Sequence, residues 1–214
     1  MPAGGGAVAQ ELRKKDRSRA AIVAAARAVF SEHGYEAASI IEIAKGAGIA
    51  EGTIYKHFVN KRDLLFQVMR LFYEEIISDV AAETLRRTGV AERLAYVVRR
   101  QLEVFAKDRG LCRLFIREIR TADDYYDSLV HDLNRRYTAI VVEIIREGIA
   151  AGEVRRDVDP RLVRDLIYGS IEHIAWKTVS GGDAMRIQSA SRALVALVLQ
   201  GIAVPKAAAI GQGA

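Results

Sequence analysis

Residues 38–65, ASIIEIAKGAGIAEGTIYKHFVNKRDLL, set out Ser39, Thr53, Tyr55, Lys56, His57 and Lys61 within a short span. Hydroxyls, an imidazole and ammonium groups are donors suited to phosphate oxygens. Glu51, an acid among them, would accept from a cytosine amino group if it reached a base edge, or would simply favour the start of its own helix. Catalytic chemistry has no comparable constellation. The four histidines, His33, His57, His131 and His173, lack the paired spacing of metal ligands. Glu172-His173, His131-Asp132, Glu74-Glu75 and Asp123-Asp124 are adjacent pairs, which point to different faces of a helix. Cys112 has no evident base and reads as a packing residue. Gly46, Gly48 and Gly52 form G-x-G-x-x-x-G, which misses the dinucleotide fingerprint by one residue and follows a helix instead of a strand. Neither an enzyme, a metal site nor a cofactor is expected.

The donors need a frame. Ser39 with Glu42 three residues on is a capping box: the serine hydroxyl is expected to take the Glu42 amide proton while the Glu42 carboxylate reaches back. Ile43 and Ala47 fall on the inner face of that helix, Ala44 is small where a second helix crosses, and Gly48 supplies the left-handed conformation that ends it. A second helix, expected over 51–57 with Ile49 and Ile54 as anchors, follows so closely that the pair must cross steeply. That crossing leaves the second helix free to lie in a major groove. Upstream, Ile22, Ala26, Val29 and Phe30 repeat at helical spacing and Gly34 stops that helix. Downstream, Asn60 caps a long helix with Asp63 at its third position, and Leu64, Leu65, Val68, Phe72 and Ile76 make its stripe.

Charge agrees with this placement. Residues 1–62 carry ten Lys and Arg against six Asp and Glu, whereas the remainder is nearly balanced at twenty-two against twenty-one. An excess of positive charge on the segment with the two-helix module suits a polyanion partner. Half of the 214 residues are apolar, enough to bury a core. The apolar runs 20–26 and 193–199 are too short for a bilayer, and the single Cys112 leaves no internal disulfide, so no membrane partner and a cytoplasmic location are expected.

No segment alternates apolar and polar residues, and only three prolines interrupt the helical stripes. The chain is therefore expected to be all-α, with further helices over 90–107, 111–118, 126–151, 160–179 and 183–204. Asp159-Pro160 starts the fourth of these, and Asp183 is expected to cap the last. The last two helices are apolar on more than one face, so they need a partner beyond their own core. Leu166, Ile171, Ile174, Leu194, Leu197, Val198 and Gly201 are the expected contacts of a two-fold four-helix interface between copies of the chain.

The series Gly34-Tyr35, Ser39, Ile43-Ala44, Ala47-Gly48-Ile49, Gly52-Thr53-Ile54-Tyr55, His57-Phe58, Asn60-Lys61 and Leu64-Leu65 resembles the N-terminal domain of the TetR family of bacterial repressors. The resemblance implies a three-helix helix-turn-helix DNA-binding domain joined to a C-terminal helical domain for ligand binding and dimerisation. The expected divisions are a tail over 1–10, the DNA-binding domain over 11–65, the second domain over 66–205 and a flexible tail over 206–214. It further implies that Glu51, Gly52 and Lys56 lie at or near base edges, and that Ser39, Thr53, Tyr55, His57 and Lys61 contact phosphates. Ser39 is equally a cap, and Tyr55 and His57 have packing as their alternative. Ile40 and Ile41 are expected to pack on the first helix, with contact of one of them, taken as Ile40, to a thymine methyl or sugar as the alternative. The basic run Arg13, Lys14, Lys15, Arg17 and Arg19 is either a solvated terminus or an arm for the adjacent minor groove. Residues 146–179 resemble the branch of the family that responds to fatty acyl thioesters and represses fatty acid degradation. That implies a double-stranded operator and a small apolar or amphipathic effector such as an acyl-CoA, with Phe105, Arg109, Phe115, Tyr126, Tyr168 and Trp176 as candidate pocket residues. Arg113 and His173 are candidate polar neighbours. A constitutive DNA-binding protein without ligand control is the alternative.

Overall fold

The computed structural model of the chain describes residues 5–204, so the expected tail over 206–214 lies outside them. Helix α1 runs Gly5–Ala37, broken where Gly34 leaves helical geometry at φ 79° and ψ −178°. It starts within the stretch expected to be an unstructured tail, of which residues 1–4 are not described. Then follow α2 Ile40–Ala47, α3 Glu51–Ile54, α4 Lys61–Leu85, α5 Gly89–Lys107 and α6 Arg109–Leu114. A π-helical turn Phe115–Ile119 and a 3₁₀ turn Tyr125–Asp127 lead into α7 Leu129–Ala150, α8 Pro160–Val179 and α9 Ile187–Ile202. Among the described residues there is no strand, and one isolated β-bridge joins Val154 to Ala203.

Two compact units make up this helical chain. The first comprises residues up to Ile76 with Lys107–Asn134; the second comprises Ile77–Ala106 with the residues from Arg135 onward. The grouping differs from a single division at 65/66, because α6 and the turns after it pack with the N-terminal helices. Gly110 shows how closely: a Cβ there would lie 2.1 Å from the Ser31 carbonyl oxygen. Arg27 on α1 adds an ion pair to Asp108 at 3.1 Å. Ile22, Ala26 and Phe30 of α1, Ile43 of α2, Ile54 of α3 and Leu64, Val68 and Met69 of α4 are buried and belong to the core of this unit.

Within the second unit, Leu94, Val97 and Leu102 of α5, Val141, Ile144 and Ile145 of α7, and Val163, Ile167, Ile171 and Ala175 of α8 are buried. The last four recur every fourth residue, which is one face of a helix. Asp159 caps α8 through the Arg161 amide at 2.8 Å, with Pro160 in the first turn, as expected. Asp183 does not cap α9, which starts four residues later. Its carboxylate instead pairs with Lys177 at 2.6 Å, and its carbonyl accepts from the Thr178 hydroxyl at 2.8 Å. Those two bonds hold it to the end of α8.

Gly110→Ala must push α6 away from α1, since the obstructing atom is backbone. It is expected to cost about 1–3 kcal/mol, a fall of several degrees in the thermal midpoint by circular dichroism. An unchanged midpoint would show that α6 shifts freely.

Candidate nucleic-acid interface and effector domain

The reading head is built from two helix ends and a cap. Ser39, extended at φ −102° and ψ 136°, is the N-cap of α2. Its hydroxyl accepts from the Ile41 amide at 3.1 Å, one position earlier than the Glu42 amide that a capping box requires. The carbonyl of Ser39 takes the first helical bond, from Ile43 at 3.1 Å. Gly48 closes the helix in the left-handed region, φ 66° and ψ 35°, and donates to the Ala44 and Lys45 carbonyls. The Ile49 amide then bonds back to Ala44 at 3.1 Å, which closes the end of α2.

Regular α3 covers four residues instead of the expected seven, because the chain tightens into a turn after Ile54. The amides of His57 and Phe58 both donate to the Ile54 carbonyl at 2.9 Å. Ile54 and Phe58 are buried anchors, while Glu51, Gly52, Tyr55 and Lys56 are exposed and Thr53 is half-buried. At the next helix Asn60 accepts from the Asp63 amide at 2.8 Å, and the Asp63 carboxylate accepts from the Val59 amide at 3.0 Å. This is the expected cap of α4, and such a cap contributes about 1 kcal/mol.

Several donors take places that their spacing alone does not show. Lys61 is held by backbone: its ammonium donates to the carbonyls of Tyr35 at 2.8 Å, Glu36 at 3.2 Å and Ala38 at 3.2 Å. It is therefore not a free donor for phosphate in this structure. His57 is half-buried with Nδ1 enclosed and without a hydrogen-bond partner. Burial, then the positive charges of Lys15, Arg19 and Lys56, hold its pKa below the ordinary histidine value. Of the two isoleucines, Ile40 is half-buried and Ile41 is 65% exposed, so Ile41 is the one open to a base methyl. Val59 is 82% exposed between Phe58 and Asn60, and sequence reasoning passed over it. An apolar residue caught between a buried anchor and a cap was the available signal.

The basic run is helical and lies within α1, with Arg13, Lys14, Lys15 and Arg17 exposed. It is thus a charged helix face and not an extended arm. Arg19 is used inside the unit, donating to Gln67 at 2.9 Å and lying over the Phe58 ring.

The six candidate effector residues divide between the units. Arg109, Phe115 and Tyr126 belong to the first; Phe105, Tyr168 and Trp176 belong to the second. Arg109 is exposed and Tyr126 is 76% exposed, so neither walls an enclosed apolar site. Phe115 meets Tyr73 and Tyr125 edge-on, as part of an aromatic cluster. Phe105 is buried on α5, Tyr168 is half-buried and Trp176 is 41% exposed. Of their polar neighbours, Arg113 is half-buried in the first unit and His173 is exposed on α8. The second unit also holds a buried polar group that the sequence did not single out. The Tyr137 hydroxyl donates to Gln101 at 2.5 Å, and its ring stands edge-on to Tyr168 at 5.6 Å. Burial raises the Tyr137 phenol pKa well above its ordinary value, so it remains a neutral donor. Cys112 is likewise buried, its thiol pushed up to about 12 by desolvation and then by Asp108, which leaves it unreactive. Among the described residues no cluster of three or more His, Cys, Asp or Glu offers a metal site.

On α8 and α9, Leu166 is 56% and Leu197 68% exposed, Gly201 is exposed, and Ile174 and Val198 are half-buried. A groove of about 630 Å³ runs between them, lined by Leu166, Gly169, His173, Ile174, Leu194 and Leu197 among others. Ile171 is fully buried in its own chain, in step with Ile167 and Ala175, and so is not available to a partner, and Leu194, expected at the same interface, is also buried at 9% exposure and reaches the surface only in the groove lining. No described helix is long and apolar enough to cross a membrane.

Comparison with known proteins accords with this geometry. A family described as bacterial regulatory proteins, tetR family, matches residues 22–68, and a tetracyclin repressor-like C-terminal domain matches residues 87–202. The fatty acid metabolism regulator protein of Bacillus subtilis is 29% identical over 181 residues, which cover 85% of this chain and 93% of that one. The HTH-type transcriptional repressor KstR2 of Mycobacterium tuberculosis is 27% identical over 188 residues, 86% of this chain and 92% of that one. The crystal structure of FadR from Bacillus subtilis in complex with stearoyl-CoA superposes with a TM-score of 0.75 at 28% identity, covering 85% of this chain and 98% of that chain. With both of its domains matched, and a reading head whose elbow, cap and exposed donors are in place, the chain belongs to the TetR family of ligand-responsive, DNA-binding transcriptional regulators.

Proposed function

We propose that this chain is a repressor that binds a palindromic operator as a homodimer and leaves it when a fatty acyl thioester occupies its C-terminal domain. The DNA-binding part rests on the Gly48 elbow, after which Glu51 and Gly52 are exposed on short α3 and Tyr55 and Lys56 on the turn that ends it. In this reading Glu51, Gly52 and Lys56 approach base edges and Ile41 reaches a base methyl. Ser39, Thr53, Tyr55 and His57 donate to phosphates. The functional division stays at 11–65 for reading and 66–205 for ligand and dimer, although the helices group differently in space. The dimer uses Leu166, Ile174, Leu197, Val198 and Gly201, whose exposed apolar surface on two adjacent helices matches the core of a four-helix interface. The acyl thioester reading rests on one observation about a relative: FadR of Bacillus subtilis, similar over 85% of this chain, has been crystallised with stearoyl-CoA. Phe105, Tyr168 and Trp176 supply apolar surface for such a chain, with Tyr137 and Gln101 as polar groups for its thioester end.

A labelled fragment of the DNA flanking the gene provides the first test. Binding should weaken steeply with salt, as phosphate contacts require, and stearoyl-CoA but not free CoA should release it. Salt-sensitive binding that no acyl thioester relieves would discard the effector assignment and leave a constitutive DNA-binding protein. Leu197→Glu should put a charge into the dimer face. A monomer by light scattering, with at least about a hundredfold loss of operator affinity, is the expected result; a stable dimer would place the interface elsewhere. The histidine gives a pH signature. Burial and neighbouring cations hold the His57 pKa down in the free protein, and a phosphate beside it would raise that pKa, so binding favours uptake of a proton. Affinity should therefore rise as pH falls from 8 to 6, and His57→Gln should flatten the part of the rise that this group carries. A variant profile identical to that of the parent would remove His57 from the interface.

A further inference from the structure

We propose that Lys61 is a positioning residue of the reading head and not one of its phosphate ligands. Three observations carry this. The first is the donor count: an ammonium has three protons, and the three bonds to the Tyr35, Glu36 and Ala38 carbonyls use all of them. The second is where those carbonyls lie. They follow the break at Gly34 and lead directly into Ser39, the cap of α2, so they belong to the end of one helix and the start of the next. The end of a helix carries unsatisfied carbonyls and the negative pole of its dipole, which a cation there stabilises. The third is the ring of Tyr35, whose centroid lies 4.6 Å from the same nitrogen and which shields the site on one side.

The consequence follows from the length of α3. Four residues make too little helix to hold a direction on their own, so α3 takes its direction from the elements on either side. Lys61 is the first residue of α4, and its side chain grips the lead-in to α2. One ammonium thus ties together the two flanks between which the reading helix is suspended. A contact to phosphate would require at least one of the three carbonyls to be released into a half-buried site. Arginine does not substitute, because its planar fork cannot meet three carbonyls converging on one point.

The proposal rests on DNA binding by this family and is independent of the effector assignment. Its first test needs no DNA. Reductive methylation of the whole folded protein, read by peptide mass spectrometry, should modify exposed Lys45 and Lys56 quickly and Lys61 at least about tenfold more slowly. Labelling of Lys61 at the rate of Lys45 in the DNA-free protein would overturn the assignment. The second test compares Lys61→Met with the parent on the operator fragment and on a random duplex, below the melting temperature. A phosphate ligand would weaken both equally, and a residue needed only for overall stability would weaken neither. A positioning residue should lower the ratio of operator to random affinity at least about tenfold, with random binding within twofold of the parent. An unchanged ratio overturns the proposal, and if Lys61→Met does not fold, the labelling of the parent chain decides alone.

Discussion

A four-residue helix cannot fix its own direction, and the organisation of the N-terminal unit follows from that constraint. Helical order in so short a piece has to come from its surroundings, since nucleation costs more than one or two internal bonds return. Two buried side chains, Ile54 and Phe58, anchor α3 from beneath. The left-handed turn at Gly48 joins it to α2, with the Gly48 and Ile49 amides bonded back to the end of that helix, and the Asn60 and Asp63 cap starts α4 shortly after it. Whatever holds α2 and α4 together therefore sets the attitude of the residues between them. Ile54 and Phe58 are spent as anchors, which is why the exposed set between the two helices is small.

The same economy governs where the cations go. Of the basic residues in the first unit, Arg13, Lys14, Lys15, Arg17, Lys45 and Lys56 are exposed and contribute field. Arg19, Arg27 and Lys61 are tied to Gln67, to Asp108 and Glu75, and to backbone carbonyls. Counting charge along the chain gives the strength of attraction for a polyanion but not the identity of the contacts. Isolated surface ion pairs add little to stability, so the tied cations matter for geometry more than for energy.

In the second unit the helices have two kinds of apolar face. The stripe Val163, Ile167, Ile171 and Ala175 fills the chain's own core, and the neighbouring stripe through Leu166 remains open beside Leu197 and Gly201. Apolar side chains left open on two adjacent helices are costly to keep in water, which is the physical ground for the dimer face proposed above. Inside, the buried Tyr137 hydroxyl donates to Gln101 and lies beside Tyr168. A buried polar pair of this kind is affordable only because both groups are bonded.

Local information sufficed for much of this architecture. Apolar periodicity located α1, α4, α5, α7 and α8, and Gly48, Asn60 and Asp159-Pro160 marked helix ends where the structure has them, because caps and left-handed turns are properties of neighbouring residues. The all-helical class and the helix-turn-helix could be read for the same reason. Other features depended on residues far apart in sequence. Nothing near Lys61 tells that its ammonium meets carbonyls 23 to 26 residues upstream, that Ile171 turns inward while Leu166 faces out, or that Tyr126 is exposed while Tyr137 is buried against Gln101. Residue type and spacing determined which groups this protein possesses and which helix carries each one. Only tertiary packing decided which of those groups remain open to a partner, because a donor or an apolar face is available only if no other part of the chain has already satisfied it.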